Sequence, residues 1–240
     1  MRVVALTGAG ISAESGVPIF RGKGSMWENP KAKELASRAG PPWNTKGTWE
    51  FYEWRRALVA RCKPNAAHHT LVEMEYFFRN FCLITQNVDG LHGRAGSKRV
   101  LEMHGNMWKG RCEKDGEIVD LPETPLKSLP PYHTCGMALR PHIVQFGEPI
   151  DGVILDEAFK ESMRSDLFLV VGTSGVVSPA RDLPLIALRE GGKVIEINRH
   201  ETPLTPYVTL SIRGKAAEIV PRLWKEILSM AVRCQILNSE

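Results

Sequence analysis

A short β-branched run, Val3–Thr7, ends in Gly8-Ala9-Gly10-Ile11-Ser12-Ala13, and no other feature restricts the fold of this chain so tightly. A strand that stops at a G-x-G-x-x-G/A turn and enters a helix is the opening unit of a doubly wound α/β sheet. Its glycines permit a tight turn and let backbone N–H groups approach a pyrophosphate at a helix N-terminus. A plain glycine turn has the same spacing, so the remaining strands must come from elsewhere in the chain. Three further apolar runs, Phe81–Thr85, Leu167–Val171 and Lys193–Ile197, read as buried parallel strands. Helical patterns lie between them. Asn65–Phe78 spaces Leu71, Met74 and Phe78 along one face. Ser178-Pro179 reads as an N-cap and first-turn proline of a helix that Gly191-Gly192 stops. Val220, Leu223, Trp224, Ile227 and Leu228 form the stripe of a C-terminal amphipathic helix. The fold class expected is α/β, a doubly wound Rossmann-like parallel sheet.

Two stretches break the alternation. Gly22–Arg61 is rich in Trp, Gly and Pro and partly helical, and Gly105–Pro141 is loop-like. They read as insertions that pack together. Residues 1–21, 62–104 and 142–240 then form the Rossmann-like domain, and 22–61 and 105–141 a smaller one. Ligand is expected in the cleft between them, at the C-terminal ends of the strands. With 240 residues, 43% hydrophobic and 24% charged, the chain can bury a core without disulfides, and disorder or coiled coil is excluded. A formal charge of +4 with scattered cations gives no nucleic-acid stripe. No apolar run reaches the length of a membrane span, and the N-terminal residues do not fit a signal peptide. A soluble cytoplasmic protein is expected, with no direct nucleic-acid or membrane partner. Five cysteines, an odd number at irregular spacing, read as free thiols with one pair to consider as metal ligands.

An ordinary dehydrogenase carries a ribose-binding acid about 20 residues past the glycine turn. Here that position is Glu28, inside Gly24-Ser25-Met26-Trp27-Glu28-Asn29-Pro30, which is not a strand. Asn198, at the end of a late strand, is the better ribose reader. Hydride transfer is therefore not the expected chemistry.

Longer motifs narrow the reading. Gly8-Ala9-Gly10-Ile11-Ser12-Ala13-Glu14-Ser15-Gly16-Val17-Pro18-Ile19-Phe20-Arg21-Gly22 resembles the signature of the sirtuins, the NAD-dependent protein deacylases. So do Thr85-Gln86-Asn87-Val88-Asp89-Gly90-Leu91-His92, Leu101-Glu102-Met103-His104-Gly105, Arg140–Glu148, Gly172-Thr173-Ser174 and Ile197-Asn198. The matches run in family order from Gly8 to Ala216. The resemblance implies that NAD is consumed: an acyl-lysine carbonyl oxygen attacks the ribose C1′ carbon, nicotinamide leaves, and the acyl group ends on ADP-ribose.

By the same resemblance His104 is the general base, a role that suits a side chain titrating near neutral pH. That resemblance also makes Asn87 catalytic, holding the ribose or a water, and has Asp89 accept from the carboxamide, so that both line the nicotinamide pocket; two residues apart in an extended stretch, they share one side. An Asx turn is the plain alternative for Asn-x-Asp-Gly. Gly8, Ala9, Gly10, Ile11, Ala13, Glu14, Gln86, Val88, Gly172, Thr173, Ser174, Asn198, Arg199 and Ala216 are assigned to NAD, as are Phe20, Arg21 and Trp27 of a closing loop. Ser12 and Glu14 equally fit helix capping. Val144, Phe146, Gly147 and Glu148 would offer a strand edge to an extended acyl-lysine peptide. The family usually has Trp where this chain has Gln145. His68, His69, His92, His142 and His200 read as structural.

Tyr52 and Arg55, three apart in the helical segment Trp49–Arg56, are neighbours on one face. They match the Tyr-x-x-Arg pair of the desuccinylase-type sirtuins, in which both meet the distal carboxylate of succinyl- or malonyl-lysine. A helix-surface Arg paired with a nearby Glu is the other reading of that spacing. Sirtuins typically hold a structural zinc with two C-x-x-C pairs. Here those positions read Cys112-x-x-Asp115 and Tyr132-x-x-Cys135, so two thiolates are gone. Asp115 and His133 offer oxygen and nitrogen, but His133-Thr134-Cys135 is cramped. The expectation is that zinc is absent and that packing by Trp108, Leu121 and Leu139 replaces it. Two other functions would use the same NAD pocket. Protein ADP-ribosyl transfer would turn NAD over without acyl-lysine, and a non-catalytic NAD-binding regulator would not need Asn87, Asp89 and His104.

Overall fold

The structure, a computed structural model, describes residues 1–19 and 45–237. Six parallel strands form the central sheet: β1 (Arg2–Thr7), β2 (Asn80–Thr85), β3 (Val100–Glu102), β7 (Leu167–Val171), β8 (Lys193–Asn198) and β9 (Leu210–Arg213). Their spatial order is β3-β2-β1-β7-β8-β9, which reverses direction at β1. Side chains alternate along β1, so that Val3 and Ala5 join one core while Val4 and Leu6 join the other. Both faces are apolar because both are covered. The first core packs against α3 (Ala66–Phe77) and α7 (Ala216–Leu237) through Leu71, Met74, Val220 and Trp224. The second packs against α5 (Gly152–Met163) and α6 (Asp182–Arg189) through Ala158, Leu183 and Ala187. No helix among the described residues is long and apolar enough to cross a membrane.

The four strands expected from sequence lie where the apolar runs put them. Asn65 caps α3, its side chain accepting from Ala67 N while its own N–H is taken by His68 Nδ1. Ser178 does not cap a helix. α6 begins at Asp182, and the Ser178 hydroxyl donates to the Asp182 carboxylate at 2.6 Å.

The stretch read as loop-like, Gly105–Pro141, is instead largely an antiparallel sheet. It comprises β4 (Gly105–Arg111), β5 (Ile118–Asp120) and β6 (Arg140–Ile143), in the order β5-β4-β6. Polar residues and glycines in β4 hide the alternation that would have marked it. Above this sheet lies α2 (Lys46–Ala60), capped by Thr45, whose side chain accepts from Thr48 N. Trp49 and Tyr52 of α2 share a core with Cys112 and Leu139, and Trp49 Nε1 donates to Leu139 O at 2.7 Å. Trp108, expected to pack in that core, lies instead against the cluster of Val59, Val88 and Met107.

Candidate active site

At the point where the sheet order reverses, the loops after β1 and β7 press together. A Cβ on Gly8 would stand 2.8 Å from Thr173 Cα, and one on Gly10 2.7 Å from Gly172 O. Gly172 has φ +63°, and a Cβ there would meet Ile11 N at 2.5 Å. These glycines are required for close approach of two backbones, which the sequence reading did not foresee. Gly8 N donates to Val171 O, Gly10 N to Gly172 O, and Ile11 N to Gly8 O. Those three N–H groups are therefore committed to the protein rather than offered to a pyrophosphate.

A cavity of about 740 Å³ opens over this crossing. Its walls include Gly8, Ala9, Gly10, Ala13, Gln86, Asn87, Val88 and His104, together with Gly172, Thr173, Ser174, Asn198, Arg199 and Ala216. Tyr52, Arg55, Val144, Phe146, Gly147 and Glu148 line it as well. Ile11, Glu14 and Asp89 are not in the walls. Phe20, Arg21 and Trp27 lie outside the described residues. Sequence reasoning missed Gln145 and His200, which also line the cavity.

His104 Nδ1 lies 3.0 Å from Gln86 O. A carbonyl can only accept, so Nδ1 carries the proton and Nε2 keeps its lone pair. Burial holds the imidazole below the usual histidine value, against the opposing pull of the Gln86 carbonyl. A neutral base with a fixed tautomer results.

Behind the cavity wall, Asn87 and Asp89 converge on Ser12. Ser12 Oγ donates to Asp89 Oδ2 at 2.7 Å, and Asn87 Nδ2 reaches Gly8 O at 3.1 Å and Ser12 Oγ at 3.3 Å. Asp89 Oδ1 accepts from Leu91 N at 2.9 Å, the Asx-turn bond. Burial raises the Asp89 carboxyl, while Leu91 N–H, the Ser12 hydroxyl, Arg55 and Arg94 pull it back down. Ser12 was not singled out because a serine after a glycine turn is usually a cap; here it makes no cap bond. His68 Nε2, 3.4 Å from Ser12 Oγ, backs the same network, and its ring lies 4.9 Å from that of His92.

Also in the cavity wall, Asn198 Nδ2 donates to Thr173 O at 2.6 Å and its Oδ1 accepts from Arg199 N at 2.8 Å. One N–H and one lone pair are left for a ligand. Glu14 pairs with Arg199 and accepts from Ala217 N in the first turn of α7, so it ties three elements together there.

From α2, Tyr52 and Arg55 reach the same cavity. Tyr52 is 1% exposed and Arg55 7%. The Arg55 guanidinium carbon lies 5.6 Å from the centre of the Tyr52 ring. Burial raises the Tyr52 hydroxyl and lowers the Arg55 guanidinium. Arg55 is thus no helix-surface cation. Sheet pairing stops at Ile143. Val144 N donates to His104 O, and Glu148 N closes a tight turn on Gln145 O. Arg140 clamps the Glu148 carboxylate through Nη1 at 2.9 Å and Nη2 at 3.0 Å. Burial opposes ionisation of Glu148, but the bonds from Arg140 and Gln145 N outweigh it and hold the carboxyl low.

The expectation that zinc is absent needs correction. Ligand atoms of Cys112, Asp115, His133 and Cys135 all lie within 4.8 Å of one another. Cys112 Sγ and Cys135 Sγ are 3.8 Å apart, the edge of a tetrahedron whose metal–sulfur bonds are about 2.3 Å. His133 Nδ1 turns inward, 3.0 Å from Cys135 Sγ and 3.6 Å from Asp115 Oδ2, while Nε2 meets Glu117 Oε2 at 2.9 Å outside the cluster. The hydrogen bond from His133 holds the Cys135 thiol below its ordinary value, toward thiolate. A carboxylate behind a ligating histidine is the usual outer support of a zinc site. The two-residue spacing that looked cramped is accommodated because the ligands sit on two tight turns, one closed by Cys112 N donating to Glu117 O and the other by His133 N donating to Met137 O, that meet at Cys112 and Cys135.

Comparison with known proteins agrees with this architecture. The model of the Sir2 family matches residues 8–179. The NAD-dependent protein deacylase of Aquifex aeolicus (strain VF5) is 49% identical over 218 residues, covering 90% of this chain and 91% of the relative. A solved Sir2 homologue in complex with ADP-ribose superposes with a TM-score of 0.90 at 42% identity, covering 96% of this chain and 93% of that one. A Sir2 protein bound to a deacetylated p53 peptide and 3′-O-acetyl ADP-ribose matches with a TM-score of 0.78 at 35% identity, covering 94% and 93%.

Proposed function

The chain belongs to the Sir2 family and is an NAD-dependent protein deacylase, and from that premise we propose that it prefers lysines carrying an acidic acyl group, succinyl or malonyl, over acetyl-lysine. The observation that carries the preference is the pairing of Tyr52 and Arg55, both buried and both lining the cavity that His104 and Val144 also line. Arg offers a charge-assisted fork and Tyr one directed donor, which together suit a carboxylate.

NAD supplies the electrophilic C1′ carbon that the acyl-lysine oxygen attacks as nicotinamide leaves, and the ribose hydroxyl that takes up the acyl group. His104 Nε2, kept unprotonated by the Gln86 carbonyl on Nδ1, removes the proton of that hydroxyl. Asn87, held by Gly8 O and Ser12, orients the nicotinamide end, and Asp89 acts on that pocket through Ser12. Gln86 Nε2 donates to Thr173 Oγ1 at 2.7 Å and so ties the loop after β2 to the loop after β7. Asn198 directs its remaining N–H to the adenosine ribose. The substrate peptide lies extended beside Val144–Phe146, a short edge because the turn at Gly147 ends it.

The donor set of Cys112, Asp115, His133 and Cys135 fits zinc. Its role is structural, since Cys112 packs in the core that holds Trp49 and Tyr52. Equimolar succinyl-, malonyl- and acetyl-lysine peptides of one sequence, incubated with NAD and read by mass spectrometry, test the preference. Nicotinamide and O-acyl-ADP-ribose should form faster from the acidic acyl peptides. Arg55→Met should lower the succinyl-to-acetyl ratio at least tenfold, as expected for a charged hydrogen bond worth about 1.5–3 kcal/mol. An acetyl preference in the parent protein overturns the reading.

A further inference from the structure

Gln145 is the polar side chain at the acyl end of the cavity that neither the general-base chemistry nor the Tyr-x-x-Arg pair accounts for. It is 3% exposed, so its amide must find partners within the protein. Its main chain is immobilised on both sides. Gln145 N donates to Glu148 Oε2 at 3.0 Å, Gln145 O accepts from Glu148 N at 2.9 Å, and Arg140 holds that carboxylate in place. From this fixed turn its Nε2 donates to Tyr52 Oη at 3.0 Å.

The direction of that bond matters. A phenol has one proton and two lone pairs. While its oxygen accepts from Gln145, its proton has to be directed elsewhere, and Tyr52, Arg55 and Gln145 all line the same cavity. A carboxylate can only accept, so it needs Tyr52 in this donor orientation. Were the partner at position 145 an acceptor, the phenolic proton would be spent on it, and an acidic acyl group would face an oxygen lone pair instead. A neutral methyl group makes no such demand.

We propose that Gln145 is a positioning residue for acyl selectivity: it accepts nothing from Tyr52 and donates to it, and so keeps the Tyr52 hydroxyl available to an acidic acyl group. The inference rests on the acidic-acyl reading above and adds the residue that sets the polarity of the site.

Steady-state kinetics of the full chain with NAD on succinyl- and acetyl-lysine peptides test it, using Gln145→Leu, Gln145→Glu, Tyr52→Phe and the double variant Tyr52→Phe/Gln145→Leu. Gln145→Leu should lower the succinyl-to-acetyl ratio of kcat/KM about tenfold, the loss falling on KM for the succinyl peptide, as for one hydrogen bond. Gln145→Glu should lower it further, because it takes the phenolic proton and repels the acyl carboxylate. The double variant should be no worse in that ratio than Tyr52→Phe alone, since both changes remove one interaction. Should Gln145→Leu fail to fold, as judged by its thermal melt, Gln145→Met keeps the length of the amide without its donor and is held to the same expectation. Equal losses on both peptides, or additive effects in the double variant, overturn the role of Gln145 while leaving the acidic-acyl reading intact. A parent enzyme that prefers acetyl-lysine overturns that reading and the inference with it.

Discussion

Arg56→Met should cost about 4 kcal/mol of folding stability without changing which acyl group is removed. The side chain is fully buried, although Arg55 beside it faces the cavity. Arg56 Nη1 donates to Met107 O at 2.8 Å, and Nη2 donates to Leu121 O at 2.6 Å and to Glu123 O. Its Nε lies 3.3 Å from Glu53 Oε2, and its guanidinium carbon 4.8 Å from the centre of the Trp108 ring. Methionine fills much of the volume but leaves three carbonyls without a donor and Glu53 without a cation. Breaking a buried ion pair costs about 3–5 kcal/mol, and each stranded buried group about 1–3 kcal/mol. The simple sum overshoots, because the carbonyls of Leu121 and Glu123 belong to partly exposed residues that water can reach, and because the Thr124 hydroxyl still donates to Glu53. About 4 kcal/mol is a large share of the roughly 5–15 kcal/mol that holds a typical domain folded. Urea unfolding followed by tryptophan fluorescence and by far-UV circular dichroism measures it. Adding Glu53→Gln to Arg56→Met should recover at least about 1 kcal/mol, since the uncompensated charge is then gone. A loss below about 1 kcal/mol for the single variant, or no recovery in the double, would refute the account of Arg56 as the staple between α2 and the small sheet.

His104→Ala should keep NAD binding, measured by calorimetry, and lower turnover by about 10²–10⁴, the usual yield of a general base. Because burial holds His104 below the usual histidine value and the neutral form is active, kcat/KM should stay level as pH falls to about 6.5 and drop only below it. An acid limb centred above pH 7 contradicts this. His68 titrates at about 4 in the folded protein against about 6.5 unfolded, so its contribution is complete above pH 6.5 and is lost as pH falls toward 4. The difference is about 3 kcal/mol. Urea midpoints should fall between pH 7 and pH 5 and fall less in His68→Asn; identical slopes in the two proteins exclude His68 as the cause. The purified protein should carry one zinc per chain by elemental analysis, and Cys135→Ala should lose the metal and melt at lower temperature. Zinc-free protein that is equally stable overturns the assignment of Cys112, Asp115, His133 and Cys135.

Four central strands were legible because strands covered on both faces read as near-continuous apolar runs, as Leu167–Val171 does. The edge strands Val100–Glu102 and Leu210–Arg213 are short and half-polar, and β4 carries Gly, Lys and Arg, so none of the three carries that signature. Glycines 8, 10 and 172 could be marked as special from their spacing. Their true partners, each other's backbones, could not, because the contact joins residues about 160 positions apart.

The site divides in the same way. The sequence by itself determined the chemistry, since the glycine turn, the segment around Asn87 and the His104 motif each combine residue types that few other functions need together. Only the tertiary structure decided how those residues are held. It made Ser12 the meeting point of Asn87 and Asp89, and it gave His104 its tautomer through Gln86. It sent Arg55 to the cavity and Arg56 to the carbonyls of Met107 and Leu121, and it gathered a metal-binding set from two loops whose spacing had argued against one. The physical reason is the range of the forces. Spacing along the chain fixes which side chains can share a face of one helix or strand. Hydrogen bonds and metal ligation act over about 2–4 Å, so their partners become known only once distant segments are packed together.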